Sequence, residues 1–198
     1  MKIGPLLRRA RALRRWKQQA VADLAGVAQT TVSRWEAGAI EPSAEQLRRL
    51  GPILTPVADL ARDSGLKRLV VSSPLPVHLV CDLTHRLLAA SPAREVEWTV
   101  SASELHGEPL FRFATDEIRE AESRLDDIGW FADATTGAVL WIRGRERPGP
   151  IRMMTGYCVW ERLTLNDGSP VRLVTTLPDG VVPEAGLTRL FDGEPQHP

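Results

Sequence analysis

Gln18-Gln-Ala-Val-Ala-Asp-Leu-Ala-Gly26-Val-Ala-Gln-Thr-Thr-Val-Ser-Arg-Trp-Glu36-Ala-Gly38 decides the N-terminal fold. Val21, Ala22 and Ala25 lie at helical spacing, and Gly26 stops that segment. Ala28 to Trp35 forms a second segment, which ends at Gly38. Two short helices that meet at a steep angle need a small residue where they cross, and Ala22 supplies it. The turn between them needs positive φ, which Gly26 adopts at little cost. Val27 and Val32 are the apolar contacts that fix the angle, with Trp35 in the core. The second helix then stands proud of the domain and carries small polar side chains: Gln29, Thr30, Thr31, Ser33 and Arg34. Such a surface suits the edge of a DNA major groove.

Working outward, Leu6, Leu7, Ala10 and Leu13 predict a preceding helix studded with arginines. Ser43 with Gln46 is a capping box that opens a fourth helix. Pro56 to Arg62 reads as a fifth. The charge supports the same surface. Net charge is zero over 198 residues, but the segment through Asp63 carries 11 Lys/Arg against 6 Asp/Glu, whereas the rest is acidic in balance. A basic head suits a polyanion.

Residues 3–62 resemble the Cro-like (XRE-type) helix-turn-helix family, through Gln18, Ala22, Gly26, Val32, Ser33, Glu36, Gly38 and Pro42. The resemblance implies that Gln18 contacts a phosphate and that Gln29, Thr30 and Arg34 reach base edges. It also implies that Glu36 pairs with Arg11 as a structural pair. Gln29 would read adenine and Arg34 guanine, each at ~1–3 kcal/mol of discrimination. Lys17 and the first-helix arginines would neutralise phosphates, which makes binding salt-dependent. Thr31 and Ser33 complete the expected DNA-facing set. The sequence departs from the family twice: Ala28 stands where a Ser or Thr cap is usual, and Ala25 where a Leu precedes the turn glycine.

The remainder reads as α+β with an antiparallel sheet. Val77–Leu83 and Arg86–Ala90 read as two strands, and Ser101 with Glu104 as a capping box. Thr115–Ile128 is a helix capped by Thr115. Three strands follow, over Trp130–Arg143, Met153–Leu165 and Val171–Leu177, with a hairpin at Asn166-Asp-Gly168. This order resembles a PAS-type sensor fold. Residues 80–93, and the Gly107-Glu-Pro-Leu-Phe111 stretch within 101–113, are similar to PAS segments. The resemblance implies a domain that binds a small molecule, transmits a signal or pairs two chains.

The expected organisation is therefore a helix-turn-helix domain over 1–64, a linker over 65–76, a PAS-like domain over 77–178 and a loosely held tail over 179–198. The fold class is two-domain: an all-α five-helix repressor-type head and an α+β body. Two distant cysteines fit a reduced cytoplasmic protein. No segment has the ~20 apolar residues of a membrane span. No Ser/His/Asp set, phosphate-cradling glycine loop or metal cluster stands out, so neither enzyme activity nor a bound metal or cofactor is expected. His85 and His106 read as surface or hydrogen-bonded residues before ligands, and Trp98, Trp130, Trp141 and Trp160 as core or interface. The reading that results is a regulator binding double-stranded DNA as a homodimer on a palindromic operator, with an unidentified small-molecule effector. The alternative is an antitoxin-like or adaptor module that binds protein.

Overall fold

The computed structural model describes residues 3–55, 58–132, 137–142, 144, 151–178, 180–181, 183 and 186–190. The head is built from α1 (Ile3–Leu13), α2 (Gln18–Ala25), α3 (Gln29–Glu36) and α4 (Ala44–Leu54). Their apolar stripes converge: Leu7, Ala10, Val21, Ala22, Val32, Trp35 and Leu50 share one core. Gly26 ends α2 at φ +69°, the left-handed conformation its position demanded. Ala28 has extended backbone ahead of α3 and no side-chain cap, so that departure leaves the first turn of α3 without one. Ser43 and Gln46 form the reciprocal cap of α4.

One close approach was invisible in the sequence. A Cβ on Gly4 would lie 2.3 Å from the Trp35 carbonyl oxygen. Glycine is what lets α1 press against the C-terminal end of α3.

The fifth helix is not where the spacing put it. Pro56 and Val57 lie outside the described residues, and Leu60–Arg62 is a single 3-10 turn opened by Asp59, whose carboxylate accepts from Ala61 N–H at 2.9 Å. The stretch expected as a linker is instead helical over α5 (Ser64–Val71). Leu66 and Val70, one turn apart, bury against the sheet with Leu60, Val77, Leu79 and Val171. Burial of that stripe outweighs the turn tendency of Ser64-Gly65. The helix therefore belongs to the body's packing.

The body is a six-stranded sheet in the order β2-β1-β5-β4-β3-β6. Its strands are β1 (Val77–Cys81), β2 (Leu87–Ala90), β3 (Gly137–Ile142), β4 (Gly156–Thr164), β5 (Pro170–Thr176) and β6 (Thr188–Arg189). The first five pair antiparallel. Short helices α6 (Pro92–Glu97) and α7 (Ala102–Leu105), then α8 (Asp116–Ser123), fall between β2 and β3. Two strands, helices, then three antiparallel strands is the PAS-type order read from the sequence. Gly168 takes φ +80° in the β4–β5 hairpin.

Several boundaries shift. Trp130–Ala132 is a 3-10 turn rather than strand, because the Trp130 indole N–H is anchored to buried Asp82 at 2.8 Å; 133–136 and Arg143 lie outside the described residues. Helix α8 stops at Ser123 rather than Ile128, and turns carry the chain to Gly129. Part of the expected loose tail is held: β6 pairs parallel with β3, so the sheet is not wholly antiparallel, and Leu190 is buried. Residues 191–198 lie outside the described set.

Because side chains alternate across a sheet, β1 and β5 present two faces. Val77, Leu79 and Val171 pack under α5. On the other face His78 pairs with Val174, and Val80 with Arg172. That face meets α6, α7 and α8 and encloses a cavity. Among the described residues no helix is long and apolar enough to cross a membrane.

Candidate nucleic-acid interface

Helix α3 divides cleanly. Val32 and Trp35 are buried, whereas Gln29, Thr30, Ser33 and Arg34 are exposed on one face, and Thr31 is half-buried at its flank. Residues four apart share a face, so 29 with 33 and 30 with 34 form a compact polar patch. Lys17 is exposed immediately before α2, and Gln18 is half-buried at its start.

A chain of hydrogen bonds sets the patch. Arg11 on α1 grips Glu36 with two bonds, Nε to Oε1 at 2.7 Å and Nη2 to Oε2 at 3.0 Å. Gln18 Nε2 donates to Glu36 Oε2 at 2.8 Å, and Gln29 Nε2 donates to Gln18 Oε1 at 2.6 Å. Gln29 is thus oriented from Arg11 of α1 through Glu36 and Gln18. One N–H of its amide is used in this chain. A second N–H and the carbonyl oxygen remain, which is the donor–acceptor pair that adenine's N7 and N6 require. The Arg34 side chain makes no hydrogen bond or ion pair among the described residues, and its guanidinium is free to fork onto an acceptor pair. The N-cap of α2, Lys17, makes no side-chain cap, so the first N–H groups of α2 stay open to an anion.

Residues 7–50 match a helix-turn-helix family. The match runs from within α1 to within α4, includes the whole Arg11–Glu36–Gln18–Gln29 chain, and leaves the sheet outside. Among curated proteins, none matches this chain. Among solved structures, a sensory box sensor histidine kinase from Vibrio cholerae is similar at 8% identity and a TM-score of 0.37, over 57% of this chain and 88% of that one. An RNA-binding Light-Oxygen-Voltage receptor is similar at 12% identity and 0.42, over 85% of this chain and 56% of that one.

A second constellation, absent from the sequence reading, lies behind the helix-turn-helix. Arg172 is buried in β5, with Nε 2.6 Å from Asp82 Oδ1 and Nη1 2.8 Å from Glu122 Oε2. Its guanidinium lies against the rings of Trp160 and Trp130, at 4.6 and 5.1 Å. Burial alone would pull its pKa down; Asp82 and Glu122 more than reverse that, and it stays charged. For Glu122 burial acts to raise the pKa, yet Arg172 and then His85 hold it below the ordinary carboxylate range.

Glu122 also receives the head. Arg9 of α1 donates from Nη1 to Glu122 Oε1 at 3.3 Å and from Nη2 to its backbone oxygen at 3.2 Å. The Arg9 guanidinium lies over the Phe131 ring at 4.8 Å. One helix, α1, therefore holds Glu36 through Arg11 and Glu122 through Arg9.

The cavity on this face has a volume of about 90 Å³. Its wall is mostly apolar, including Trp98, Phe111, Ile142 and Trp160, with polar groups from His78, His85, Arg94, Glu122 and Arg172. His85 sits at φ +55° in the β1–β2 turn, stacked on Phe111 at 4.7 Å, with Nε2 3.4 Å from Glu122 Oε1. That pair is within ion-pair range but off the hydrogen-bond direction. His106 is exposed. Trp98, Trp130 and Trp160 are buried and Trp141 half-buried.

Proposed function

We propose that this protein is a sequence-specific regulator that binds duplex DNA through α3 and senses a small molecule in its sheet domain. The carrying observation is the exposed face of Gln29, Thr30, Ser33 and Arg34, with Gln29 held by the bonded chain from α1. Gln29 reads adenine and Arg34 guanine in the major groove. Lys17, Gln18 and the open start of α2 take phosphates, while Thr31 and Ser33 border the groove. Arg11 and Glu36 are structural.

One such module buries only ~600–1,000 Å² against DNA, little for tight selective binding. The protein works as a homodimer, on half-sites about 34–36 Å apart in a palindromic operator. The work is cytoplasmic, with no catalytic step. The sheet domain communicates with the head through α1, because Arg9 bonds to Glu122 at the cavity wall.

Selection from random duplexes with purified full chain tests this. A palindromic consensus is expected, with Gln29→Ala and Arg34→Ala each weakening it by ~1–3 kcal/mol and relaxing one base position. Unchanged binding in both variants overturns the recognition face. A salt-resistant complex with a protein, and none with DNA, overturns the DNA reading itself.

A further inference from the structure

The cavity under the sheet holds an unusual residue set for an apolar space. Arg94 is 5% exposed. Its Nη1 is committed to Glu97 at 2.5 Å and its Nη2 to the Pro76 carbonyl at 2.6 Å. Its Nε–H is buried and has no acceptor among the described residues. Guanidinium nitrogens only donate, so this group wants an oxygen or another acceptor. His78 Nδ1 is buried on the same wall without a hydrogen-bond partner among the described residues. Unpaired buried polar atoms cost ~1–3 kcal/mol each, so their gathering at one cavity calls for a reason.

The charges of the wall balance. Arg172 is matched by Asp82 and Glu122, and Glu122 receives Arg9 as well. Arg94 is matched by Glu97. The Glu122 carboxylate therefore presents a compensated charge. Burial, and next the Arg94 charge, push the His78 imidazole well below its ordinary value, so it is neutral and supplies one N–H. Burial also pushes the Cys158 thiol up to about 11, which keeps it neutral at the cavity wall. The volume of about 90 Å³ is smaller than the ~150 Å³ void that accepts a benzene ring. A body of about three carbons fits against Val80, Ile142 and Val174; a six-membered ring does not.

We propose that the cavity binds a short unbranched aliphatic carboxylate of about three carbons, its oxygens taken by Arg94 Nε–H and the imidazole of His78 and its alkyl body by the apolar wall. This rests on the reading of the sheet domain as the sensing half. Charge-assisted hydrogen bonds to a carboxylate are roughly twice as strong as neutral ones, and here they form out of water.

The test uses propionate as probe, with propionamide and propan-1-ol as uncharged arms of the same shape. Trp98 and Trp160 line the cavity, so tryptophan fluorescence of the full chain, without DNA, reports occupancy. Saturable binding of propionate is expected, with both uncharged arms weaker by about tenfold or more, equal to ~1.4 kcal/mol. His78→Leu should weaken propionate by a similar factor without lowering the melting temperature, because it removes an unpaired buried group. Arg94→Lys keeps the charge but loses the fixed Nε–H, and should also weaken it.

Equal binding of acid, amide and alcohol overturns the carboxylate assignment. Absence of saturable binding by any arm, or full affinity in both variants, overturns the site. DNA selection is measured separately. Failure here with a recovered operator sinks only the ligand, and the converse sinks only the operator reading.

Discussion

Removing the carboxylate of Glu36 should cost more stability than a surface ion pair can explain. Glu36 accepts two bonds from Arg11 and one from Gln18, at 2.7, 3.0 and 2.8 Å. Its side chain is 6% exposed, against 20% for Arg11. An exposed pair contributes ~0.2–1 kcal/mol. Stranding one partner of a fully buried pair costs ~3–5 kcal/mol. Arg11 lies between these limits. It keeps a bond from Nη1 to the Trp16 carbonyl at 2.9 Å and some access to water. Glu36→Ala should therefore cost about 2–3 kcal/mol. Urea denaturation of the wild type, Arg11→Ala, Glu36→Ala and the double variant gives the coupling, expected at about 1.5–2 kcal/mol. The same variant frees Gln18 and with it Gln29, so operator affinity should fall while the salt slope, set by phosphate contacts, stays put. A coupling below ~0.5 kcal/mol, with m-values unchanged, would refute the claim that this pair clamps the recognition helix.

Gly4→Ala should destabilise the head by about 1–3 kcal/mol, seen in thermal melts, since its Cβ would meet the rigid Trp35 carbonyl oxygen at 2.3 Å; an unchanged melt means α1 can shift freely. Lys17→Ala should reduce the slope of log K against log salt by about 0.9, measured on a single operator across salt concentrations. The folded state holds the Glu122 pKa below its unfolded value, so its contribution is complete above the ordinary carboxylate range and disappears as pH falls through the folded value. Acid titration of stability should therefore be steeper in the wild type than in Glu122→Gln, and parallel curves would count against the Arg172–Glu122 pairing.

What the sequence determined by itself is the helix-turn-helix from 18 to 38 and the order of elements in the sheet domain. The constraints there are local. A small Ala22, a left-handed Gly26 and the Val32/Trp35 stripe act within twenty residues or so, where spacing translates directly into geometry. The hairpin at Asn166-Asp-Gly168 is legible for the same reason. Arg11 and Glu36 stand 25 residues apart and came from resemblance alone, with no local signal to join them. Tertiary structure alone decided the rest. Leu66 and Val70 form a helix because a sheet face waits for them. Arg9 meets Glu122 across 113 residues, and Arg172 meets Asp82 across 90. His78, Arg94, Glu122 and Arg172 share one cavity only after the strands pair, because register, set by the whole sheet, decides which face each side chain takes.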